Sequence, residues 1–241
     1  FQQALALQPN FAIAHYNLGN CYKERRRFGE AIACYQRSLV INPDLAEAYD
    51  NLGNVFRDRG QFDAALASFR QALALKPDFA EAHNNLGNVF MERGQLDDAF
   101  ACYQRALALK PNLAEAHNNL GNVLRDRGQC DAALARFQHA LALKPDFAEA
   151  HNNLGNDFKE RGQLDQALAC FRHALALKPD YAGAHNNLGT ALKDRGELNE
   201  AVACLRQALA LEPDRADYHS NVILALHYRF GHDAGVIEAE L

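Results

Sequence analysis

The chain has 241 residues, of which 49% are hydrophobic and 23% charged, a composition ordinary for soluble globular domains. Its formal net charge of -5 argues against a nucleic-acid partner, because affinity for phosphates comes mainly from clustered Lys and Arg. No run of about 18 apolar residues occurs, and the opening FQQALALQPN lacks the basic segment of a secretion signal. The sequence therefore predicts neither a membrane partner nor export.

One interval organises the sequence. Each proline is separated from the next by 34 residues, and so are six of the glycines. These residues are Pro9, Pro43, Pro77, Pro111, Pro145, Pro179 and Pro213, with Gly19, Gly53, Gly87, Gly121, Gly155 and Gly189. A fixed period of about 20 to 50 residues indicates a repeat architecture, in which each unit buries its apolar face against its neighbours.

In chain order, this period divides the sequence into three parts. Residues 1–11 fit only the second helix of a truncated repeat, and because the only methionine is Met91 we expect the chain to be a piece of a longer protein. Six full units follow, at 12–45, 46–79, 80–113, 114–147, 148–181 and 182–215. Residues 216–241 are predicted to be an irregular seventh unit, forming a capping or linker helix.

Each full unit is predicted to be a hairpin of two helices. In the unit 46–79 an apolar stripe with helical spacing is formed by Tyr49, Leu52, Gly53 and Phe56. Asp44 and Glu47 have the spacing of a capping box at the start of this first helix, and Gly60 is placed to end it. A second helix runs to the next proline, and we expect the glycine of the stripe to face Ala65 on it.

These positions resemble the tetratricopeptide repeat (TPR). In the same unit the family pattern of Leu, Gly, aromatic, Ala, aromatic, Ala and Pro is Leu52, Gly53, Phe56, Ala65, Phe69, Ala72 and Pro77. The resemblance implies an all-α fold, a TPR superhelix or α-solenoid of antiparallel helical hairpins. Arg26 departs from the pattern by replacing a turn glycine, and Asp157 by standing where other units have Val or Cys. Asp157 must be solvated or paired, or else it loosens the packing.

Uncharged amides recur on the opposite face of the first helices, as in HNNLGN at 83–88, 117–122 and 151–156. Stacked units align them in two columns. The first column is Asn17, Asn51, Asn85, Asn119, Asn153 and Asn187, and the second column is Asn20, Asn54, Asn88, Asn122 and Asn156. In TPR superhelices this face lines the concave surface. Since a carboxamide carries an acceptor oxygen and a two-proton donor, we expect both columns to bind an extended polypeptide by its backbone. Side chains would be read only weakly, by rim residues such as Arg57, Asp58, Glu92 and Lys159.

A structural interpretation of the same amides stays open, because TPR units commonly carry Asn here and the amides would then satisfy groups of a loop or neighbouring helix. Histidines form another column, at His15, His83, His117, His151 and His185. Hydrogen-bonded core histidines are favoured over a metal site, since zinc needs each ligand nitrogen at about 2.1 Å. The sequence shows no nucleophile motif or phosphate-binding glycine loop, so it predicts no enzyme activity and neither metal nor cofactor.

The six cysteines are interpreted as core thiols. None belongs to a C-x-x-C pair, and four are separated by multiples of the repeat period, namely Cys34, Cys102, Cys170 and Cys204. Equivalent atoms of stacked units lie about 8–10 Å apart, beyond the roughly 7 Å over which two cysteines can be bridged. This predicts a reducing, cytoplasmic environment.

The segment YHSNVILALHYRFGHDAGVIEAEL at 218–241 resembles the one that joins TPR units to the catalytic region in bacterial relatives of O-linked N-acetylglucosamine transferase and SPINDLY-type proteins. That resemblance implies the substrate-recognition region of a protein glycosyltransferase, with the first column as its peptide-contacting asparagines and the donor-sugar site beyond Leu241. A stand-alone scaffold for a protein complex is the alternative. A chaperone adaptor that clamps a C-terminal carboxylate ranks last, because the residue before each first-column Asn is never basic. The uncovered apolar end of the truncated repeat also predicts head-to-tail self-association.

Overall fold

The computed structural model describes residues 11–230, which form thirteen α-helices and no strands. They are α1 (Ala12–Glu24), α2 (Phe28–Ile41), α3 (Ala46–Asp58), α4 (Phe62–Leu75), α5 (Ala80–Glu92), α6 (Leu96–Leu109), α7 (Ala114–Asp126), α8 (Cys130–Leu143), α9 (Ala148–Glu160), α10 (Leu164–Leu177), α11 (Ala182–Arg195), α12 (Leu198–Leu211) and α13 (Ala216–Phe230). The predicted all-α repeat fold is confirmed. The predicted helix of residues 1–11 lies almost wholly outside the described residues, as does the end of the segment 216–241. Within the described part of the chain, no helix is both long and apolar enough to span a bilayer.

The helices belong to two compact units, Phe1–Val123 and Leu124–Leu241, and the division falls inside α7. In the first unit α1 packs on α2, α3 on α4 and α5 on α6, and each hairpin also packs on the next through α2 with α3 and α4 with α5. In the second unit α9 packs on α10 and α11 on α12, with α8, α10 and α12 each contacting the helix that follows. Each unit is thus built by repetition of one local arrangement.

In four hairpins the glycine of the first helix packs directly against an aromatic ring of the second helix. A Cβ atom placed on Gly53 would lie 2.8 Å from Cε1 of Phe69, and one on Gly87 would lie 2.6 Å from Cε1 of Tyr103. The ring of Phe69 occupies the space that a side chain would take, so the nearest neighbour of Gly53 is this ring rather than the predicted Ala65. In the hairpin of Gly189, where Leu205 replaces the ring, the backbone oxygen of Ala201 would lie 3.0 Å from a Cβ atom placed on the glycine.

The helix starts differ from the predicted capping boxes. The N-cap residue of α3 is Leu45, without a side-chain cap hydrogen bond, and Asp44 lies in the preceding turn. Leu45 packs against the core cluster that contains Leu52 and Val55, so burial of this residue sets the start of the helix. Glu47 instead pairs with Lys76, 3.2 Å away on the same hairpin. Glu81 with Lys110 and Glu149 with Lys178 repeat this ion pair.

Left-handed residues end the first helices, as predicted for Gly60, which has φ 70°. The glycines at 94, 128, 162 and 196 share this conformation. Arg26 holds the equivalent position between α1 and α2 with φ 56°, which makes it the one non-glycine residue of positive φ in the described chain.

Asp157 is buried and paired. Its side chain is 1% exposed, and Oδ2 accepts a hydrogen bond of 2.7 Å from Nε of Arg161, one turn further along α9. Arg161 also reaches Asp131 on α8, at 2.9 Å. Of the alternatives for Asp157, pairing is the one found, although its Oδ1 atom is buried with no hydrogen-bond partner.

Candidate functional site

All eleven asparagines of the two predicted columns are partly exposed, and all lie on odd-numbered helices. The first unit holds eight of them, on α1, α3, α5 and α7, and the second unit holds Asn153, Asn156 and Asn187 on α9 and α11. The side chains are therefore available at the surface. What distinguishes the two columns is their hydrogen bonding.

First-column amides direct their N–H groups to the preceding hairpin. Nδ2 of Asn119 donates to Oδ1 of Asn84 at 3.0 Å and to Oδ1 of Asn88 at 2.9 Å. Nδ2 of Asn85 donates in the same sense to Oδ1 of Asp50, at 2.9 Å. These bonds connect residues 31 or 35 positions apart, so they link neighbouring hairpins.

The same arrangement occurs at both ends of the described chain. Nδ2 of Asn51 donates to the hydroxyl of Tyr16 at 3.0 Å and to Oδ1 of Asn20 at 3.2 Å. In the second unit, Asn187 donates to Asn152 at 2.9 Å. Each acceptor is the residue just before a first-column position or a second-column asparagine. The repeat pattern does not mark these positions as acceptors, although the amide, carboxylate or hydroxyl group at each of them was the available signal.

Most of the first-column carbonyl oxygens for which hydrogen bonding is described have no strong hydrogen-bond donor within residues 11–230. Within the described residues, Oδ1 of Asn85 and Oδ1 of Asn187 accept no hydrogen bond, and Oδ1 of Asn119 accepts only a long one, of 3.4 Å, from Asn118. Oδ1 of Asn51 accepts one from Nζ of Lys23, at 2.9 Å. In Asn85, Asn119 and Asn187 the N–H donors are therefore bound and the acceptor oxygens largely available.

Second-column amides have the opposite orientation wherever a tyrosine lies beneath them. The hydroxyl of Tyr103 donates to Oδ1 of Asn88 at 2.8 Å, and that of Tyr35 donates to Oδ1 of Asn20 at 2.7 Å. With two hydrogen bonds on this oxygen, Asn88 keeps its Nδ2 group without a partner among the described residues. A tyrosine hydroxyl thus turns the amide so that its N–H groups face outward.

Where the ring is a phenylalanine, this orientation is lost. Phe69 has no hydroxyl, and Nδ2 of Asn54 instead donates to the Asp50 carbonyl oxygen at 3.1 Å and to Oδ2 of Asp50 at 3.3 Å. Asn156 lies above Phe171 and makes no hydrogen bond to the described residues. The sequence pattern treated Tyr and Phe as one aromatic class and missed this distinction.

The two columns meet at a surface pocket of the first unit, here named pocket A, with a volume of about 320 Å³. Its lining residues are Arg57, Asn88, Met91, Glu92, Tyr103, Asn119 and Asn122. Nδ2 of Asn88 is a free donor and Oδ1 of Asn119 an acceptor with capacity to spare. Pocket A therefore offers a ligand one hydrogen-bond donor and one hydrogen-bond acceptor.

Charge is balanced at the rim of pocket A. The guanidinium of Arg57 lies 3.0 Å from Oδ1 of Asp58 and 3.8 Å from Oε1 of Glu92. Burial raises the pKa of Glu92 while Arg57 opposes that change. Burial likewise raises the pKa of Asp50, against the hydrogen bond from Asn85 and the charge of Lys23.

Five histidines bind the backbone of the loop that precedes their helix. Nε2 of His83 donates to the Pro77 carbonyl oxygen at 3.1 Å, and the same bond is made by the histidines at 117, 151, 185 and 219 to the prolines six residues earlier. Each of these five histidines thus ties its helix to the loop before it. No group of three potential ligands occurs in residues 11–230.

All six cysteines are free thiols of intermediate burial. Burial raises the pKa of Cys102 to about 11, and it raises the pKa of Cys34, Cys170 and Cys204 as well. Thiols of raised pKa are poor nucleophiles at neutral pH.

The chain matches a known protein family. The profile described as "Cilia and flagella-associated protein 70 C-terminal domain" matches residues 10–222. A search of curated protein sequences gave no significant match.

Solved structures share the fold. A chain of the APC/C hetero-tetramer Cut9–Hcn1 superposes with a TM-score of 0.87 at 22% identity, over 93% of this chain and 45% of that one. This chain thus spans less than half of that relative. PilW, a type IV pilus biogenesis factor, gives a TM-score of 0.74 at 25% identity, over 87% of this chain and 97% of its own. YrrB, a TPR protein with an unusual peptide-binding site, gives 0.54 at 27%, over 81% and 97%.

Proposed function

Since this chain belongs to the family of the cilia and flagella-associated protein 70 C-terminal domain, a TPR family of protein-interaction scaffolds, we propose that it binds an extended polypeptide along its two asparagine columns. The polypeptide would be held mainly by its backbone. Pocket A is the part of this surface that we assign to contact one peptide unit. YrrB, which has a peptide-binding site on a similar fold, supports the proposal.

One observation carries it, the division of hydrogen-bonding roles between Asn88 and Asn119. A peptide unit has one acceptor and one donor. Nδ2 of Asn88 would donate to the peptide carbonyl oxygen, and Oδ1 of Asn119 would accept from the peptide N–H. The amide orientations are fixed in advance by Tyr103 and Asn84, so little side-chain freedom is lost on binding.

The amides also have a structural role, because the N–H groups of the first-column amides described above are used within the protein and only the carbonyl oxygens are left for a ligand. The N–H groups of Asn85 and Asn119 link hairpins, so replacing these residues with alanine would lower stability as well as binding. Such alanine variants therefore do not separate the two roles. A substitution that removes only an outward group does.

Asn88→Asp is that substitution. Aspartate keeps an oxygen for the bonds from Tyr103 and Asn119 but replaces the outward NH2 group with a second oxygen. We expect peptides selected on a peptide array to bind this variant about tenfold more weakly, the loss of one well-placed hydrogen bond with some charge repulsion. Fluorescence anisotropy titration measures the affinity, and the thermal unfolding midpoint should change little.

Gln104→Glu is the matched control, since it makes the same change from amide to carboxylate at an exposed position of α6. It should leave the affinity unchanged. Equal affinity of the native protein and the Asn88→Asp variant would rule out pocket A as the peptide site. A large fall in the unfolding midpoint of Asn88→Asp would instead favour a purely structural role.

The larger protein to which such a module belongs is a finer proposal. From the resemblance of the segment 218–241, we propose that the polypeptide is a substrate presented to a protein glycosyltransferase. The alternative is a scaffold that assembles a protein complex, and the Cut9–Hcn1 assembly, with its similar fold, favours it. The full reading frame of the gene distinguishes the two proposals. Only the glycosyltransferase proposal requires a sugar-nucleotide-binding domain in the same reading frame.

A further inference from the structure

A second pocket is lined by residues that lie two repeat periods after those of pocket A in the sequence. Pocket B lies in the second unit, has a volume of about 330 Å³ and is lined by Arg125, Asn156, Lys159 and Glu160. Each of these residues follows a lining residue of pocket A by twice the repeat period, and three of the four keep their chemical type. The exception is Lys159, which occupies the position of Met91.

This one difference changes the charge. Pocket A contains one cation, Arg57, which is already paired with the carboxylates of Asp58 and Glu92. The remaining wall is the uncharged, polarisable side chain of Met91, a residue type that packs well against varied apolar groups. Pocket A has no surplus positive charge with which to bind an anion.

Pocket B keeps a cation and a carboxylate at the positions of Arg57 and Glu92, as Arg125 and Glu160, and adds a second cation, Lys159. Nζ of Lys159 donates to the neutral hydroxyl of Thr190 at 2.9 Å and lies 3.7 Å from Oδ2 of Asp194, so the one carboxylate near it is at ion-pair rather than hydrogen-bond distance. The side chain of Lys159 is 30% exposed, so the ammonium has retained donors and access to solvent. The amide of Asn156, which makes no hydrogen bond to the described residues, lies beside it.

We propose that pocket B binds an acidic side chain of the polypeptide, whereas pocket A binds an apolar one. Lys159 is then the residue that sets this preference, with Asn156 available to donate to the carboxylate. This inference rests on the proposed function, because it assumes a polypeptide on the asparagine columns. It adds which side chains are selected.

The probes are three peptides of the sequence Ser-Gly-Thr-X-Thr-Gly-Ser, in which X is Glu, Gln or Leu. Each peptide is acetylated at its N-terminus and amidated at its C-terminus. Met91 is the only methionine, so its ¹³C-labelled methyl group gives a single resonance that reports on pocket A. We expect the Leu peptide to shift this resonance and the Glu peptide to shift it much less. For the native protein, the Glu peptide should bind about five- to tenfold more tightly than the Gln peptide.

Lys159→Met converts pocket B to the composition of pocket A. The preference for Glu over Gln should disappear, while the affinity for the Gln peptide stays as it was, which shows that the variant is folded. The new methionine should gain a methyl resonance that the Leu peptide shifts. Lys178→Met, the matched control on the same unit, removes an exposed lysine that pairs with Glu149 outside the pocket and should preserve the preference.

The outcomes separate the two proposals. If the Glu and Gln peptides bind the native protein equally, or if Lys159→Met retains the preference, the inference is overturned and backbone binding stands. If none of the three peptides binds, both are overturned. Met91→Lys supplies the reciprocal test, since it should increase the affinity for the Glu peptide.

Discussion

At the scale of single residues, a hydroxyl group decides what the second column presents. Tyr103 and Phe69 pack equally against the glycine of their hairpins, but only Tyr103 can hold the oxygen of an asparagine. The apolar pattern of a repeat therefore also determines the polarity of its outer face. This effect reaches from the core to the surface through one hydrogen bond.

Asp157 is a buried carboxylate that lowers the stability of the protein, so replacing it with an apolar residue should raise the free energy of unfolding. Its counterparts Val55, Val89 and Val123 are fully buried, so the site is shaped for an apolar side chain. We expect Asp157→Val to stabilise the protein by about 1–2 kcal/mol, because it removes a buried carboxylate that has one unsatisfied oxygen. Urea unfolding followed by circular dichroism measures the gain.

The control for that prediction is Val89→Asp, which places a carboxylate four residues before Arg93, as Asp157 lies before Arg161. It should destabilise the protein. A loss of stability in Asp157→Val would mean that its ion pair with Arg161 outweighs the cost of burial.

Asp50→Asn should change how stability depends on pH. The folded pKa of Asp50 is raised above its ordinary value of 3.8, mainly by burial. The contribution of a raised carboxyl is fully present below the unfolded pKa and is lost as the pH rises through the folded pKa. We therefore expect the variant to be more stable than the native protein at pH 7 and to lose this advantage as the medium is acidified through the folded pKa.

Urea unfolding midpoints between pH 3 and pH 7 test that expectation. Asparagine at this position still accepts the bond from the next hairpin, as Asn84 and Asn152 do. Asn84→Asp is the reverse change and should reduce stability at neutral pH. A pH-independent difference between Asp50→Asn and the native protein would contradict the argument.

At the scale of elements, the turn between α1 and α2 is strained. Arg26 adopts the left-handed conformation that five glycines adopt at equivalent turns. Such a conformation costs a non-glycine residue about 1–2 kcal/mol, of which glycine's greater freedom when unfolded offsets about half. Arg26→Gly should thus stabilise the protein by about 0.5–1 kcal/mol, measured by thermal unfolding.

Gly162→Arg makes the opposite change at the turn between α9 and α10 and should lower the unfolding midpoint by a comparable free energy. An unchanged midpoint in both variants would show that the turn conformation adjusts without strain.

At the scale of the whole molecule, we propose weak self-association through exposed apolar surfaces. Phe11 and Ile13, at and near the start of α1, are 43% and 42% exposed, and Leu224 and Tyr228 on α13 are 43% and 64% exposed. Leu224→Glu should lower the weight-average mass found by light scattering at high concentration. Leu143→Glu, on the inner helix α8, should not. A strictly monomeric native protein would refute the proposal.

The sequence predicted the all-α repeat fold and its helical hairpins, because these follow from helical spacing and regular Pro and Gly positions. It did not predict the helix starts, since burial of Leu45 overrides the capping pattern of Asp44. It also did not predict which atom of each amide faces outward. That depends on a hydroxyl from the second helix and on acceptors in the preceding hairpin, which a pattern read along one helix does not include.

Four first-column amides donate to the residue 35 positions earlier, those of Asn51, Asn85, Asn119 and Asn187, and this regularity makes the array modular. If residues 80–113 were excised, Asn119 would follow the hairpin of Asp50 and could donate to it as Asn85 does. The hydrogen bond between the two newly adjacent hairpins would then form again. Genes for such chains can therefore gain or lose whole 34-residue segments while each new junction keeps its hydrogen bonds.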